Sequence, residues 1–419
     1  MADRSTDHVA HHRRRRPTPL RHDGRDYLTT AQVARVLGVK TQTVYAYVSR
    51  GLLTSAAVDG VRGSVFAVDE VDALTRRSAG RPPAGVVERI RTQITLLDDD
   101  HLYYRGQDAA MLSTSVDFEA VAAILWQSEP DWGRNMMPRS VIKQLRALGN
   151  PAGRHVDMVR MAIDVLGSRD NLRHQLTHDV VTRKAAGILD TVVDCLPVAS
   201  GQDAIGPSLA ARLWPRLTSI PANRGRVRLL NAALVLLADH DLTASTVAAR
   251  VAASARGSIY SVVTAGLGAL DGPLHGGAAT RASRFLADAL ENPSSALALW
   301  SGPDRATPGF GHVVYRDHDP RAEALFALMA TTTGGNRKVI RTIEELRGFA
   351  GQTDAAFLNS DMALAAIAVR FDMAPDAAET IFAIARIAGW VAHAIEEYEE
   401  PRLRFRPQGV YVGVRPPTP

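Results

Sequence analysis

The sequence predicts a mainly α-helical protein. Long stretches place apolar residues at three- and four-residue intervals, alanine and leucine dominate them, and β-branched alternation is scarce. Many of these stretches are apolar on most faces, the pattern of helices covered on several sides by others.

At 419 residues the chain can hold two or three domains, and 46% hydrophobic with 22% charged residues fits a globular class. A single cysteine, Cys195, excludes an internal disulfide and a cysteine-based zinc site, and fits a reducing cytoplasm. The start is polar, without the apolar core of a signal peptide. No uninterrupted apolar run approaches the roughly 20 residues of a membrane helix. The expectation is a soluble, cytoplasmic protein.

Residues 1–26 read as a basic, disordered tail. Net charge is only +5, and Arg13, Arg14, Arg15 and Arg16, flanked by His8, His11, His12 and His22, concentrate it here. Like charges repel, and nothing apolar is available to bury. A solvated tail and a phosphate-backbone contact both fit such a run.

Residues 27–77 predict a small domain of short helices. Thr29 can cap the amide of Gln32, whose side chain can reach back. Ala31, Val33, Ala34 and Leu37 then form a short apolar stripe, which Gly38 ends. Thr41 starts a second helix over 42–50 with Val44 and Val48 as its core face, and Gly51 suits the left-handed stop. Two short helices joined by a glycine turn make a helix-turn-helix. A β-hairpin wing is expected over 61–68, with Asp69 capping a third helix through Leu74. Residues 78–87, containing SAGRPPAG, read as a linker.

From 88 onward helices are predicted over 180–193, 226–238, 247–270, 284–290, 321–330 and 377–397. A short β element is expected over 95–104, where Asp98, Asp99 and Asp100 offer a turn. Four segments concentrate titratable residues where the surroundings are apolar: ADHDLTAST with His240, GPLHGGA with His275, PGFGHVVYRDHDPRA with His312 and Arg321, and FLNSD ending in Asp361. Each has a plain explanation alone. His240 could be a helix C-cap, the glycines could be turns, and Asp361 could be an N-cap.

The stretch LTTAQVARVLGVKTQTVYAYVSRGLL, followed by RGSVFAVDEVDAL, resembles the winged helix-turn-helix of the MerR and excisionase-like families. That resemblance implies a second helix in the DNA major groove. Lys40, Gln42, Thr43, Tyr45 and Arg50 would face DNA from the helix, and Arg62 from the wing. A small domain that contacts protein is the alternative.

The four titratable segments, in their order, resemble citrate synthase. The likeness extends to LYYRGQDAAML and DFEAVAAILW before them, and to IARIAGWVAHAIEE and RPQGVYVG after them. It implies a large helical domain over 88–419, interrupted by a small domain at roughly 275–380. By resemblance Asp361 is the base that deprotonates acetyl-CoA, His275 donates to the thioester oxygen, and His312 polarises the ketone of oxaloacetate. Arg321, Arg386 and Arg406 would take its carboxylates, which match the fork of a guanidinium, with His240 as a further partner. Leu274, Pro308, Gly309, Phe310, Gly311, Val313 and Val314 would line the CoA site. The resemblance implies no cofactor or metal, acetyl-CoA being a substrate, and a homodimer whose last arginine crosses subunits. Ala279 and Met362 depart from the family pattern, where asparagine and an aromatic residue are usual. A 2-methylcitrate synthase using propionyl-CoA, and a transcription regulator that senses a metabolite, are the alternatives.

Overall fold

The computed structural model describes residues 19–22, 25–37, 39–58, 61–78, 90–133, 137–148, 153–199, 206–301, 306–350 and 357–406. The Arg13 to Arg16 run, Gly38, most of the predicted linker and the RPQGVYVG segment beyond Arg406 lie outside them. The chain divides into two units, Met1–Val86 with Arg406–Pro419, and Val87–Phe405.

In the first unit, strands β1 (Leu20–His22), β2 (Arg25–Thr29), β3 (Ser55–Ala56) and β4 (Val65–Ala67) form an antiparallel sheet of order β1-β2-β4-β3. Helices α1 (Thr30–Leu37), α2 (Thr41–Ser49) and α3 (Val68–Ser78) belong to the same unit. Leu28, Val33, Val44, Leu53, Phe66, Val71 and Leu74 make its core. The Thr29 and Gln32 capping box forms in both directions, at 2.8 and 3.4 Å, and Gly51 is left-handed at φ 67°.

Three expectations change here. Pairing of Leu20 with Tyr27 turns the end of the expected tail into sheet. The wing is a β3–β4 pair rather than a hairpin within 61–68, because Val65 pairs with Ala56. Asp69 lies inside the first turn of α3 and pairs with Arg25 at 2.7 Å instead of capping.

The second unit opens with a sheet, β5 (Thr95–Asp98), β6 (His101–Tyr104) and β7 (Gln107–Asp108), whose Asp99 and Asp100 turn is left-handed. Helices follow: α4 (Ala109–Ser115), α5 (Phe118–Trp126), α6 (Arg139–Leu148), α7 (His155–Arg169) and α8 (His178–Cys195). Next come α9 (Leu209–Leu217), α10 (Arg224–Leu237), α11 (Ala244–Ser254), α12 (Ile259–Leu270), α13 (Gly277–Glu291) and α14 (Pro293–Trp300). The last are α15 (Pro320–Thr331), α16 (Lys338–Ala350), α17 (Ser360–Arg370) and α18 (Ala377–Glu399). The predicted 247–270 helix is two helices, broken where Arg256 is left-handed.

Helix α18 is the central element. Its 23 residues are long and apolar enough to cross a membrane by length and composition, yet 94% of that window is buried in the protein. Polar Arg386, His393 and Glu397 interrupt it, and all three are fully buried. Buried polar groups need partners, and those of α18 hold the candidate site together.

Candidate active site

Arg386, Gly389, His393 and Glu397 recur at three- and four-residue steps, so they share one face of α18. The end of α10 docks on this face. Arg386 Nε donates to the carbonyl of Leu237 at 2.8 Å, and the Gly389 amide donates to that of Ala238 at 2.9 Å. A Cβ on Gly389 would collide with the Asp239 carboxylate and the Ala238 carbonyl, so only glycine permits this approach. Asp239 accepts from Thr95 Oγ1 at 2.5 Å and the Asp241 amide at 3.1 Å. His393 Nε2 lies 3.4 Å away, and Nδ1 of the same ring accepts from Arg250 Nε at 2.9 Å. Although burial pushes the Asp239 carboxyl up, His393 and Arg386 hold it below its ordinary range. The segment carrying His240 is therefore anchored on both sides.

His240 is not a C-cap; Ala238 holds that position in α10. Its Nε2 meets the Tyr315 hydroxyl at 2.9 Å, and its ring stands edge-on to His312 with centroids 5.1 Å apart. Tyr315 packs on His312 at 4.9 Å, with the Arg321 guanidinium 5.3 Å from its ring centre. His312 Nδ1 accepts the Val314 amide at 3.1 Å, which puts the proton of the neutral ring on Nε2. Burial, then the charge of Arg321, depress the His312 pKa to about 4, so the ring is neutral at physiological pH. His240 is pushed down by burial and then by Arg321 and Arg386.

Asp319 caps α15 and grips Arg321 with both oxygens, at 2.9 and 2.8 Å. It also accepts the Ser360 amide at 2.9 Å, tying this loop to the start of α17. Asn359, not Asp361, caps α17: its side chain accepts from the amides of Asp361 and Met362. Asn359 also binds the carbonyls of Gly309 and Gly311, at 2.9 and 2.8 Å. Asp361 is thus spared for other work. Burial raises its pKa to about 6 against the opposing charge of Arg321, with Asp319 adding to the rise.

His275 Nε2 lies 2.8 Å from Ser245 Oγ, which accepts the Trp390 indole N–H at 3.3 Å. The same oxygen meets Thr243 Oγ1 at 3.2 Å, so Ser245 ties the Nε2 edge of the His275 ring to Trp390 and Thr243 and leaves Nδ1 facing away from them. Burial, then Arg386, bring its pKa to about 4. Phe382 sits edge-on to His275 at 5.6 Å and face-on to Arg386 at 4.6 Å. Arg386 is fully buried, yet both of its terminal nitrogens lack a hydrogen-bond partner among the described residues. Leaving such donors unmade costs free energy, and burial lowers the Arg386 pKa. The arrangement calls for an anion.

Contacts join His240, His312, Tyr315 and Arg321 in one group and Arg386, Phe382 and His275 in another. The charge of Arg386 is felt at His240 and that of Arg321 at Asp361. Five segments far apart in sequence meet there. Around them, Leu274 is 88% and Val313 87% exposed, while Pro308 and Gly309 are buried and Phe310 packs edge-on to Phe285 at 5.9 Å. Gly311 and Val314 lie in the same loop, Val314 being exposed. Arg406 is exposed and falls in the first unit. Ala279 and Met362 are buried in the core, and Met362 lies under Gly309. Sequence reasoning missed Asp239, Ser245, Tyr315 and Asp319, although all four stand in the segments it singled out; their proximity to the histidines was the available signal.

In the first unit, Lys40, Gln42, Tyr45 and Arg50 are exposed and Thr43 is half-buried along α2, with Arg62 exposed between β3 and β4. Residues 27–78 match the profile of a helix-turn-helix domain family. Residues 85–408 match that of the citrate synthase C-terminal domain. Citrate synthase 2 of Bacillus subtilis is 28% identical over 360 residues, 80% of this chain and 96% of that protein. A 2-methylcitrate synthase of Shewanella oneidensis is 27% identical over 338 residues, 75% and 89% of the two chains. Among solved structures, citrate synthase from Thermotoga maritima superposes with a TM-score of 0.64 at 26% identity, covering 81% of this chain and 97% of that one. The Thermoplasma acidophilum enzyme, solved with carboxymethyl coenzyme A and oxaloacetate, shares the fold at TM-score 0.66 and 24% identity, covering 79% and 96%. With the matched region taking in every residue of the constellation, this chain belongs to the citrate synthase family and carries a helix-turn-helix ahead of the family's region.

Proposed function

We propose that this chain condenses acetyl-CoA with oxaloacetate and water to give citrate and CoA. The observation that carries the reading is a half-buried carboxyl, its pKa pushed up to about 6, on a chain that also brings two neutral, half-buried imidazoles near buried guanidinium groups, the terminal nitrogens of Arg386 lacking partners among the described residues. The methyl protons of a thioester are weakly acidic, so base and enolate stabiliser must act together. Asp361 removes the proton while His275 Nδ1–H donates to the thioester oxygen. The enolate carbon attacks the ketone of oxaloacetate, and His312 Nε2–H polarises that ketone and protonates the alkoxide. Arg321, Arg386 and His240 hold the keto-diacid. Water then cleaves the thioester of the citryl-CoA intermediate, releasing CoA. Family likeness supports a homodimer in which Arg406 of one subunit completes the other's site, acting in the tricarboxylic acid cycle of the cytoplasm.

CoA release measured with acetyl-CoA and with propionyl-CoA tests this. One methylene is worth about 1–3 kcal/mol in a pocket, so acetyl-CoA should lead in kcat/KM by about tenfold or more. A propionyl-CoA preference would make the protein a 2-methylcitrate synthase, an activity named among its relatives.

The helix-turn-helix is read as a DNA-binding module whose surface is Gln42, Thr43 and Tyr45 between Lys40 and Arg50. Selection from a random duplex pool should yield a bound site whose affinity falls with salt and is lost in Tyr45→Ala. A wild type that shows no turnover but binds DNA in an oxaloacetate-dependent way would make the chain a metabolite-sensing regulator instead.

A further inference from the structure

The loop that carries His312 and leads to Arg321 is held at three points, the last being Asp319 on the Ser360 amide. Asn359 binds the carbonyls of Gly309 and Gly311 ahead of His312. Beyond it, the amides of Arg316, Asp317 and His318 all donate to one carboxylate, Asp100, at 2.8, 2.6 and 3.4 Å. Asp100 comes from the β5–β6 turn, over 200 positions earlier in the chain. Its side chain is only 10% exposed, and the His318 ring lies 4.0 Å away. Three successive amides of an irregular loop have no ladder to join, and a carboxylate is the strongest acceptor a side chain offers them.

We propose that Asp100 is a positioning residue for oxaloacetate: it fixes residues 316–318 so that Tyr315 and His312 on one side, and Asp319 and Arg321 on the other, keep their places. The inference rests on the reading that His312 and Arg321 bind oxaloacetate. These clamps also separate two effects. Release of Asp100 frees residues 316–318 between Tyr315 and Asp319, while Asn359 still holds the half placed at the CoA side and Asp319 stays on the Ser360 amide.

The turn dictates the variants. Asp99 and Asp100 have φ of 46° and 57°, a region that asparagine and glycine tolerate and most residues do not. Asp100→Gly keeps the turn and removes every acceptor; Asp100→Asn keeps the turn and one oxygen. Steady-state kinetics of the full chain, with thermal melts with and without oxaloacetate, are the test. In Asp100→Gly, KM for oxaloacetate should rise by about tenfold or more, since hydrogen bonds to a charged group are the strong ones. KM for acetyl-CoA should move by less than about threefold, with Tm within roughly 4 °C of wild type. Asp100→Asn should fall between. An unchanged KM for oxaloacetate overturns the proposal. So does a parallel rise in both KM values with a large loss of Tm, which is the mark of a merely structural residue. If the wild type itself neither turns over nor is stabilised by oxaloacetate, the functional reading fails and this inference falls with it.

Discussion

The hydroxyl of Ser245 lies 2.8 Å from Nε2 of His275 and holds that edge of the ring. Trp390 fixes the serine in turn, at 3.3 Å. Ser245→Ala should let the His275 ring rotate away from its place. A fall in kcat of about 10–100-fold is expected, below the about 10²–10³-fold loss from removing an oxyanion donor itself. Steady-state kinetics at saturating oxaloacetate would measure it, and Ser245→Thr should recover part of the loss.

On the proposed mechanism, Asp361 sets the acid limb of the rate. A base must be ionised, so kcat/KM should fall tenfold per pH unit as pH drops below about 6. His275 and His312, at about 4, stay neutral across that range and contribute no limb there. A pH profile in which activity persists undiminished to pH 5 would remove Asp361 from the role of base.

The same carboxyl makes a prediction about stability. Its pKa is raised from 3.8 to about 6 on folding, so the native state favours the protonated form and loses stability as pH rises through that window. The shift corresponds to about 3 kcal/mol as an upper bound. Asp361→Asn should therefore abolish turnover while melting higher than wild type at pH 8. Below about pH 4, where both states are protonated, the two melts should coincide.

Arg386 holds two buried nitrogens without hydrogen-bond partners among the described residues. An oxaloacetate carboxylate would satisfy them, so ligand at 100 times its Kd should stabilise the wild type by about 2.7 kcal/mol. In Arg386→Leu, differential scanning calorimetry should show that stabilisation gone, together with a loss in the unliganded protein from the bond to the Leu237 carbonyl and the support of the Asp239 charge.

Gly309 has φ 82°, and a Cβ there would stand 2.6 Å from Cε and 2.9 Å from Cβ of Met362. The methyl end can swing away but the Cβ cannot. Gly309→Ala should cost about 1–3 kcal/mol, visible as a lower urea midpoint, and should raise KM for acetyl-CoA. Adding Met362→Ala should return only part of the stability, because the left-handed backbone stays strained.

The sequence by itself determined the helical class, the capping box of Thr29 and Gln32, the Asp99 and Asp100 turn, and the segments in which the titratable residues stand. Those features are local: periodicity, capping chemistry and glycine placement act within a few residues of one another. Only the tertiary structure decided what each polar side chain does. Asp361 and Asn359 are both fit to cap α17, and the choice fell to Asn359 because Asp319 and the Gly309–Gly311 backbone, remote in sequence, engage that end of the helix. Asp100 read as a turn residue, and its carboxylate found partners more than 200 positions away. Partners that distant leave no periodic trace, since packing between elements, and not spacing along the chain, brings the groups within hydrogen-bonding reach.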